Sequence, residues 1–126
     1  MTRDVYSTTD APAPVASYSQ ACASGSVLAV AGQVGVDPAG ALVDGGVAEQ
    51  TEQALRNLEA VLAAAGASIG DVVRMDCYLT SFDDFDAFNE VYGRWFPAPD
   101  PPTRTTVVVG LPPGLLVEVT ALAGRG

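Results

Sequence analysis

Arg104 and Glu118 are the two residues whose types and spacing could do chemistry. Arg104 lies in the run TRTTVVV at 103–109, and Glu118 lies in LLVEVTALA at 115–123. A guanidinium offers a planar fork of N–H donors that fits a carboxylate, and a carboxylate side chain can hold or deprotonate a water molecule. Side chains alternate along a strand, so Arg104 shares a side with Thr106. If the two strands are neighbours, Arg104 and Glu118 can lie on one polar face of the sheet.

Spacing alone favours a simpler interpretation of the pair, namely a cross-strand ion pair on a solvated sheet face, worth at most ~1 kcal/mol. In the functional interpretation, Arg104 binds a substrate carboxylate while Glu118 holds or activates a water molecule. Three further polar candidates also have two interpretations. Tyr18 is a rim aromatic or half-buried core, Asn89 is a helix-surface amide or a site residue, and Gly32 marks a bulge or a close backbone approach.

The composition excludes several kinds of site. The chain has no histidine, so a Ser-His-Asp triad, a Cys-His pair and a histidine-containing zinc site are ruled out. Cys22 and Cys77 are not spaced as a redox pair and are predicted to be small buried hydrophobes. All six cations are arginines and the formal net charge is −9, which disfavours nucleic acid and anionic membranes as partners. An anion must therefore be bound by a local site.

Hydrophobic periodicity predicts the elements that must position these residues. The predicted order is strand, strand, helix, strand, helix, strand, strand within a single domain spanning 1–126, and the predicted strands are 19–23, 27–34, 72–79, 103–109 and 116–123. The helices begin near Val47 and Phe82 and are stopped by Gly66 and by the prolines from Pro97. This order predicts an α+β fold, a mixed sheet with both helices on one face. The other sheet face is predicted to be fairly apolar and to mediate self-association.

Neither a membrane-spanning run nor the apolar core of a signal peptide is evident in the sequence. We therefore expect a soluble protein of the cytoplasm.

Several motifs together resemble the RidA/YjgF family, also labelled L-PSP endoribonuclease. They are YSQA at 18–21, VAGQVGVDPAG at 30–40, FNEVYGRWF at 88–96 and PPTRTTVVVGLPPGLLVEV at 101–119. The resemblance implies a chorismate-mutase-like fold and a homotrimer with sites in the clefts between subunits. It also implies hydrolysis of reactive enamines and imines, such as 2-aminoacrylate and 2-iminopropanoate, to 2-oxo acids and ammonia. The family needs no metal or organic cofactor.

The resemblance also implies roles for individual residues. Arg104 matches the arginine that clamps the substrate carboxylate, and Glu118 matches the glutamate that positions water. The substrate-binding set is Tyr18, which closes the site, Gly32, whose backbone lies beside the ligand, Asn89, Arg104 and Thr106. Thr106 stands where many members have a cysteine. In contrast to the common pattern, Ala16-Ser17 replaces Gly-Pro, and Thr120 replaces a second glutamate.

Two alternatives to the general imine deaminase remain open at this level. One is a pathway-specific enzyme of the same fold that acts on a larger carboxylate substrate, which the changes at Ala16-Ser17 and Thr106 would suit. The other is a non-catalytic ligand-binding or chaperone-like module. The ribonuclease activity that the family label suggests is disfavoured by the net charge of −9.

Overall fold

A computed structural model describes residues 2–125 and contains one six-stranded sheet and two α-helices. The strands are β1 Asp4–Tyr6, β2 Ala21–Ser24, β3 Val27–Val34, β4 Val72–Leu79, β5 Thr103–Val108 and β6 Val117–Gly124, and the helices are α1 Val47–Ala64 and α2 Phe85–Trp95. Single 3-10 turns at Ile69–Asp71 and Phe82–Asp84 precede β4 and α2. The expected mixed α+β architecture is confirmed, and β1 is an addition to the predicted order.

The strand order in the sheet is β1-β2-β3-β6-β4-β5. Only β4 and β5 run parallel, because α2 connects them in a strand-helix-strand unit; the other neighbouring pairs are antiparallel. β4 therefore separates β5 from β6. The strands that carry Arg104 and Glu118 are not neighbours in the sheet. The two residues therefore do not form a cross-strand ion pair.

The hydrophobic core lies between the two helices and one face of the sheet. Apolar side chains recur every three or four residues along α1, and they pack against alternate residues of the central strands. Leu58, Met75, Phe88 and Val119 are all fully buried in this layer. Gly66 has φ of +77°, a left-handed conformation that favours glycine and ends α1 as predicted.

The second face of the sheet carries no helix. Val27 and Val107 lie on it and are exposed, while Leu122 and Tyr78 are half-buried. Polar residues such as Thr105 and Thr120 are interspersed with them. We call this surface the open face. None of the helices found between residues 2 and 125 is long and apolar enough to cross a bilayer.

Candidate active site

Arg104 lies on the edge strand β5 and points to the helix-covered side of the sheet. It is aligned with the buried Met75 of β4, and aligned residues of neighbouring strands share a face. Its Nη1 donates a hydrogen bond of 2.8 Å to Oδ1 of Asn89 on α2. Its Cζ lies 4.6 Å from the ring centroid of Tyr92 and 5.6 Å from that of Phe85. The second helix therefore holds the guanidinium through Asn89 and the aromatic rings.

The charge of Arg104 is not neutralised within the described part of the chain. The ion pairs found there all use other arginines, namely Arg56, Arg74, Arg94 and Arg125. Asn89 accepts from one of the five N–H donors of the guanidinium, and its amide oxygen carries no formal charge. In a chain with 15 acidic residues, this arginine remains available to bind an anion.

The side chain of Thr106 lies on the same side of β5 as Arg104 and is aligned with Cys77 of β4. The thiol of the neighbouring strand therefore lies beside Thr106. Cys77 is fully buried, and this burial raises the pKa of its thiol to about 12 although the charge of Arg104 opposes the change. The thiol is therefore neutral at physiological pH, which makes it a weak nucleophile. Cys77 is a buried small residue as predicted, whereas Cys22 is only half-buried.

Glu118 lies on the opposite side of the sheet from Arg104. It is aligned with Tyr78 of β4, which is three residues from Met75 and therefore on the other face. The carboxylate is half-buried, and burial raises its pKa above the ordinary value. No arginine within residues 2–125 forms an ion pair with it. The cross-strand ion pair that spacing alone favours is therefore absent from the single chain.

Gly32 approaches the Glu118 carboxylate so closely that no side chain fits there. A Cβ at position 32 would lie 1.9 Å from Oε2 of Glu118, which is far inside van der Waals contact. The adjoining stretch of β3 departs from regular pairing with β6, because the register shifts between Val30 and Gln33. Because glycine has no side chain and the backbone is irregular here, Gly32 lies directly beside the Glu118 carboxylate.

A cleft of about 470 Å³ lies next to Gly32 and is bordered by Tyr18. Its wall is mostly apolar and is formed by the loop before β2, the turn after β3 and the residue Leu115 that precedes β6; the lining includes Pro12, Pro14, Val15, Val36 and Pro38. The Tyr18 hydroxyl accepts a hydrogen bond of 3.3 Å from the backbone N–H of Val15. That contact and the hydrogen bond from the Tyr18 N–H to Ala16 O close a turn at Ala16-Ser17, and Tyr18 is the residue of this turn's C-terminal side that borders the cleft.

Three buried amide side chains anchor the segments that form this wall. The Gln20 side chain donates to Thr8 O and Pro12 O and accepts from the Thr8 N–H. Gln50 of α1 donates to Gly114 O and accepts from the Leu116 N–H, both at 2.9 Å. Asn57 of α1 donates to Val34 O and Val36 O. Sequence analysis did not identify these residues, although a polar amide at a core-facing position of an amphipathic helix is a usable signal.

The candidate residues therefore form two groups. Arg104, Asn89 and Thr106 lie where β5 meets α2, whereas Tyr18 and Gly32 border the cleft and Glu118 lies against Gly32. Each group is assembled within one chain, but the sheet separates Arg104 from Glu118. No group of three or more His, Cys, Asp or Glu side chains within residues 2–125 is arranged to hold a metal ion.

Comparison with known proteins gives consistent matches along the chain. The family model described as Endoribonuclease L-PSP matches residues 8–124. The mouse protein named 2-iminobutanoate/2-iminopropanoate deaminase is 42% identical over 125 residues, which cover 98% of this chain and 93% of the mouse protein.

Two crystal structures superpose closely on this chain. RidA of an Antarctic Psychrobacter has a TM-score of 0.91 at 37% identity and covers 97% of this chain and 99% of its own. Escherichia coli TdcF with bound serine has a TM-score of 0.90 at 34% identity, with coverage of 98% and 99%.

A family match over residues 8–124 and the 42% identity to the mouse protein agree with the motifs around Tyr18, Gly32, Asn89 and Arg104. The chain belongs to the Endoribonuclease L-PSP family, which is the RidA/YjgF family that its sequence resembles.

Proposed function

We propose that the protein hydrolyses small 2-imino acids, and the enamines that tautomerise to them, to 2-oxo acids and ammonia. The observation that carries this proposal is the guanidinium of Arg104, which α2 holds in place without any carboxylate partner among residues 2–125. Relatives named 2-iminobutanoate/2-iminopropanoate deaminase, including the mouse protein, support the reaction class.

The first step is binding of the substrate carboxylate by Arg104. The N–H donors that Asn89 leaves free face a planar anion with matching geometry, so the carboxylate forms a two-point contact. A two-point contact fixes the direction of the adjacent C=N bond, which lowers the entropic cost of attack. The relative with bound serine carries a ligand of the same type, an amino acid with a carboxylate.

The second step is addition of water to the imine carbon. Glu118 accepts a proton from the water as the water oxygen bonds to carbon, the C=N electron pair moves to nitrogen, and Glu118 returns the proton to that nitrogen. In the resulting carbinolamine, the hydroxyl proton passes to the amino nitrogen by way of Glu118, the oxygen forms the C=O bond, and the C–N bond breaks to release ammonia. The half-buried position of Glu118 raises its pKa, which suits this general-base role.

We infer that a complete site needs two copies of the chain. Arg104 and Glu118 lie on opposite sides of the sheet, so one substrate cannot contact both within a single copy. Arg104 lies on an edge strand, and Glu118 lies beside an open face with exposed valines. Association through these surfaces brings Arg104 of one copy toward Glu118 of the next. A homotrimer with three sites between subunits, as in the family pattern, meets this requirement.

The size and polarity of the cleft support a second candidate, a preference for larger imino acids. Its volume of about 470 Å³ exceeds what a methyl substituent fills, and Pro14, Val36 and Leu115 give it an apolar wall. An aliphatic side chain extending from the imine carbon past Gly32 would contact these residues. This candidate keeps the same chemistry and differs only in the substrate.

Cleavage of RNA, which the family description suggests, is not our proposal. The chain has a formal net charge of −9 with six arginines and neither lysine nor histidine, so it lacks both a phosphate-binding surface and the usual acid-base side chain.

The proposal is tested with imines made in solution by an amino acid oxidase and trapped by semicarbazide. Addition of the protein should lower semicarbazone formation from alanine-derived 2-iminopropanoate and accelerate ammonia release. Arg104→Ala should lower kcat/KM about 100-fold because it removes a charge-assisted two-point contact. The leucine-derived imine, run in parallel, should be hydrolysed with the higher kcat/KM if the apolar wall selects substrates.

Arg94→Ala is the matched control, because Arg94 is an exposed arginine on α2 whose ion pair among residues 2–125 is with Glu90. It should retain full activity. Equal semicarbazone formation with and without the protein, for both imines, would contradict the proposed function. Metal-free RNA cleavage that disappears in Arg104→Ala would replace it with a nuclease activity.

A further inference from the structure

Three aromatic rings of α2 surround the Arg104 guanidinium. Phe85, Phe88 and Tyr92 follow one another at spacings of three and four residues, which places them on one side of the helix. The Cζ of Arg104 lies 5.6, 5.7 and 4.6 Å from their ring centroids, respectively. All three distances fall within the range of cation–π attraction. We call these three rings the aromatic cage.

An aromatic cage holds a guanidinium differently from a carboxylate. Ring faces attract the cation through their quadrupole but accept no conventional hydrogen bonds and carry no net charge. The N–H donors of Arg104 therefore stay available, apart from the one that binds Asn89. A glutamate or aspartate in the same place would occupy the donor fork and cancel the charge that a substrate needs. The cage thus orients the arginine without competing with the ligand.

Tyr92 makes the closest contact and has an unusual hydroxyl group. The residue is 5% exposed, and its hydroxyl oxygen is buried without a hydrogen-bond partner among the described residues. Burial is the main cause that raises its pKa, so the hydroxyl stays neutral beside the arginine. An unpaired buried hydroxyl destabilises the fold. The contribution of Tyr92 to Arg104 therefore comes from its ring face, not from its oxygen.

We propose that Tyr92 is a positioning residue for substrate binding, whose ring fixes the plane of the Arg104 guanidinium, with Phe85 in a weaker supporting role. The inference rests on the proposed function, because it concerns how the carboxylate-binding arginine is oriented. It differs from a packing role in a measurable way. Loss of the ring should weaken binding of the carboxylate even when the protein remains fully folded.

The test compares Tyr92→Phe with Tyr92→Leu in the imine assay. Tyr92→Phe keeps the ring and removes only the unpaired hydroxyl, so KM should stay within about twofold of the original value and the melting temperature should not fall. Tyr92→Leu keeps an apolar side chain and removes the ring, so KM should rise about tenfold with little change in kcat per folded molecule. Recovery of the original KM by phenylalanine but not by leucine identifies the ring face.

Val91→Ala is the matched stability control. Val91 is buried on the same helix but is not a ring or hydrogen-bond partner of Arg104. It should lower the melting temperature and leave KM unchanged. If Tyr92→Leu does not fold, Phe85→Leu serves in its place, because Phe85 is only half-buried, and KM should rise about threefold.

The outcomes separate the two proposals. If the original protein hydrolyses imines and Arg104→Ala does not, but the leucine variants keep the original KM, then the positioning role is wrong and the proposed function stands. If the original protein is inactive, the proposed function itself is wrong.

Discussion

Arg104 and Glu118 carry opposite charges and have different surroundings in the fold. The positive charge of Arg104 contacts aromatic rings and an amide, which carry no net charge and leave it free to attract an anion. The negative charge of Glu118 is half-buried without a paired arginine among residues 2–125, which makes ionisation costly. Both arrangements suit residues that act on a ligand. A surface ion pair between them would have satisfied both charges and disabled both roles.

Glu118 should set the acidic limit of activity. The general base must be ionised, and its pKa is raised by burial, so kcat should fall with decreasing pH at a higher pH than an ordinary glutamate would give. The measurement is the pH profile of kcat on the imine substrates. Glu118→Gln should lower kcat by at least about 100-fold and remove this acidic limb from the residual activity.

Glu118→Gln should lower kcat but raise the stability of the folded protein at neutral pH. The gain in stability provides an independent check on the raised pKa. Because the pKa of Glu118 is raised in the folded state, folding favours the protonated form, and its ionisation destabilises the protein as pH rises through that pKa. Glu118→Gln should therefore melt at a higher temperature than the original protein at neutral pH and show a smaller difference in acid. A melting temperature that drops at neutral pH would show that the carboxylate is stabilised by an unseen partner.

At the scale of residues, the sequence indicated which side chains are candidates for the site but not which face of the sheet each of them occupies. Arg104, Glu118, Asn89 and Gly32 were all candidates, and the structure gives Asn89 and Gly32 specific contacts. The faces of Arg104 and Glu118 depend on the register of β4 with both its neighbours. That register is set by long-range pairing, which no local pattern reports.

At the scale of elements, α1 does more than fill the core. Its amides Gln50 and Asn57 reach across to the backbone on either side of the cleft, at Gly114 and Leu116 and at Val34 and Val36. Gly35 lies so close to Gln50 that a Cβ there would be 2.5 Å from the Gln50 Cβ. One helix thus fixes the turn after β3 and the loop before β6, both of which contribute to the wall of the cleft.

Gln50→Leu tests this anchoring. Leucine preserves most of the volume but leaves Gly114 O and the Leu116 N–H without their side-chain partner, so the free energy of unfolding should fall by about 2 kcal/mol in urea titration. Amide exchange should accelerate at Leu116, whose N–H now donates to Gln50. Glu59→Ala, at an exposed position of the same helix, should change neither quantity. Unchanged exchange at Leu116 in the leucine variant would show that the loop is held by other contacts.

The elements that sequence predicted well are those with clear periodicity. Both helices have apolar spacings of about 3.6, and buried residues alternate with less buried ones along β6 and most of β4, as one-sided burial requires. β1 was missed because its three residues carry no period. It is held by pairing with β2 and by Arg125, whose Nη2 lies 2.6 Å from Asp4 Oδ2 across 121 residues of sequence. Strand order was equally beyond local patterns, since β5 and β6 are consecutive in sequence but separated by β4.

At the scale of the whole molecule, the separation of the two groups of site residues supports the proposed assembly. One face of the sheet is covered by both helices, and the other carries exposed or half-buried apolar residues such as Val27, Val107 and Leu122. A face of this kind is stabilised when another copy removes it from water. Since Arg104 and Glu118 are on opposite sides of the sheet, the same association would complete the site. Assembly and catalysis should therefore be lost together.

Val107→Glu tests this coupling at the open face. Val107 is exposed on the open face of a single chain, so in the proposed assembly a glutamate at this position would be buried without a partner. This buried charge should break the assembly, and sedimentation should show the mass fall from about three chains to one. Imine hydrolysis should disappear with it, although the Arg104 contacts to Asn89 and the aromatic cage lie within one chain and stay intact. Ala63→Glu is the control, because Ala63 is exposed on α1, away from both the β5 edge and the open face. It should remain assembled and active, and a monomeric Val107→Glu with full activity would show that a single chain forms the site.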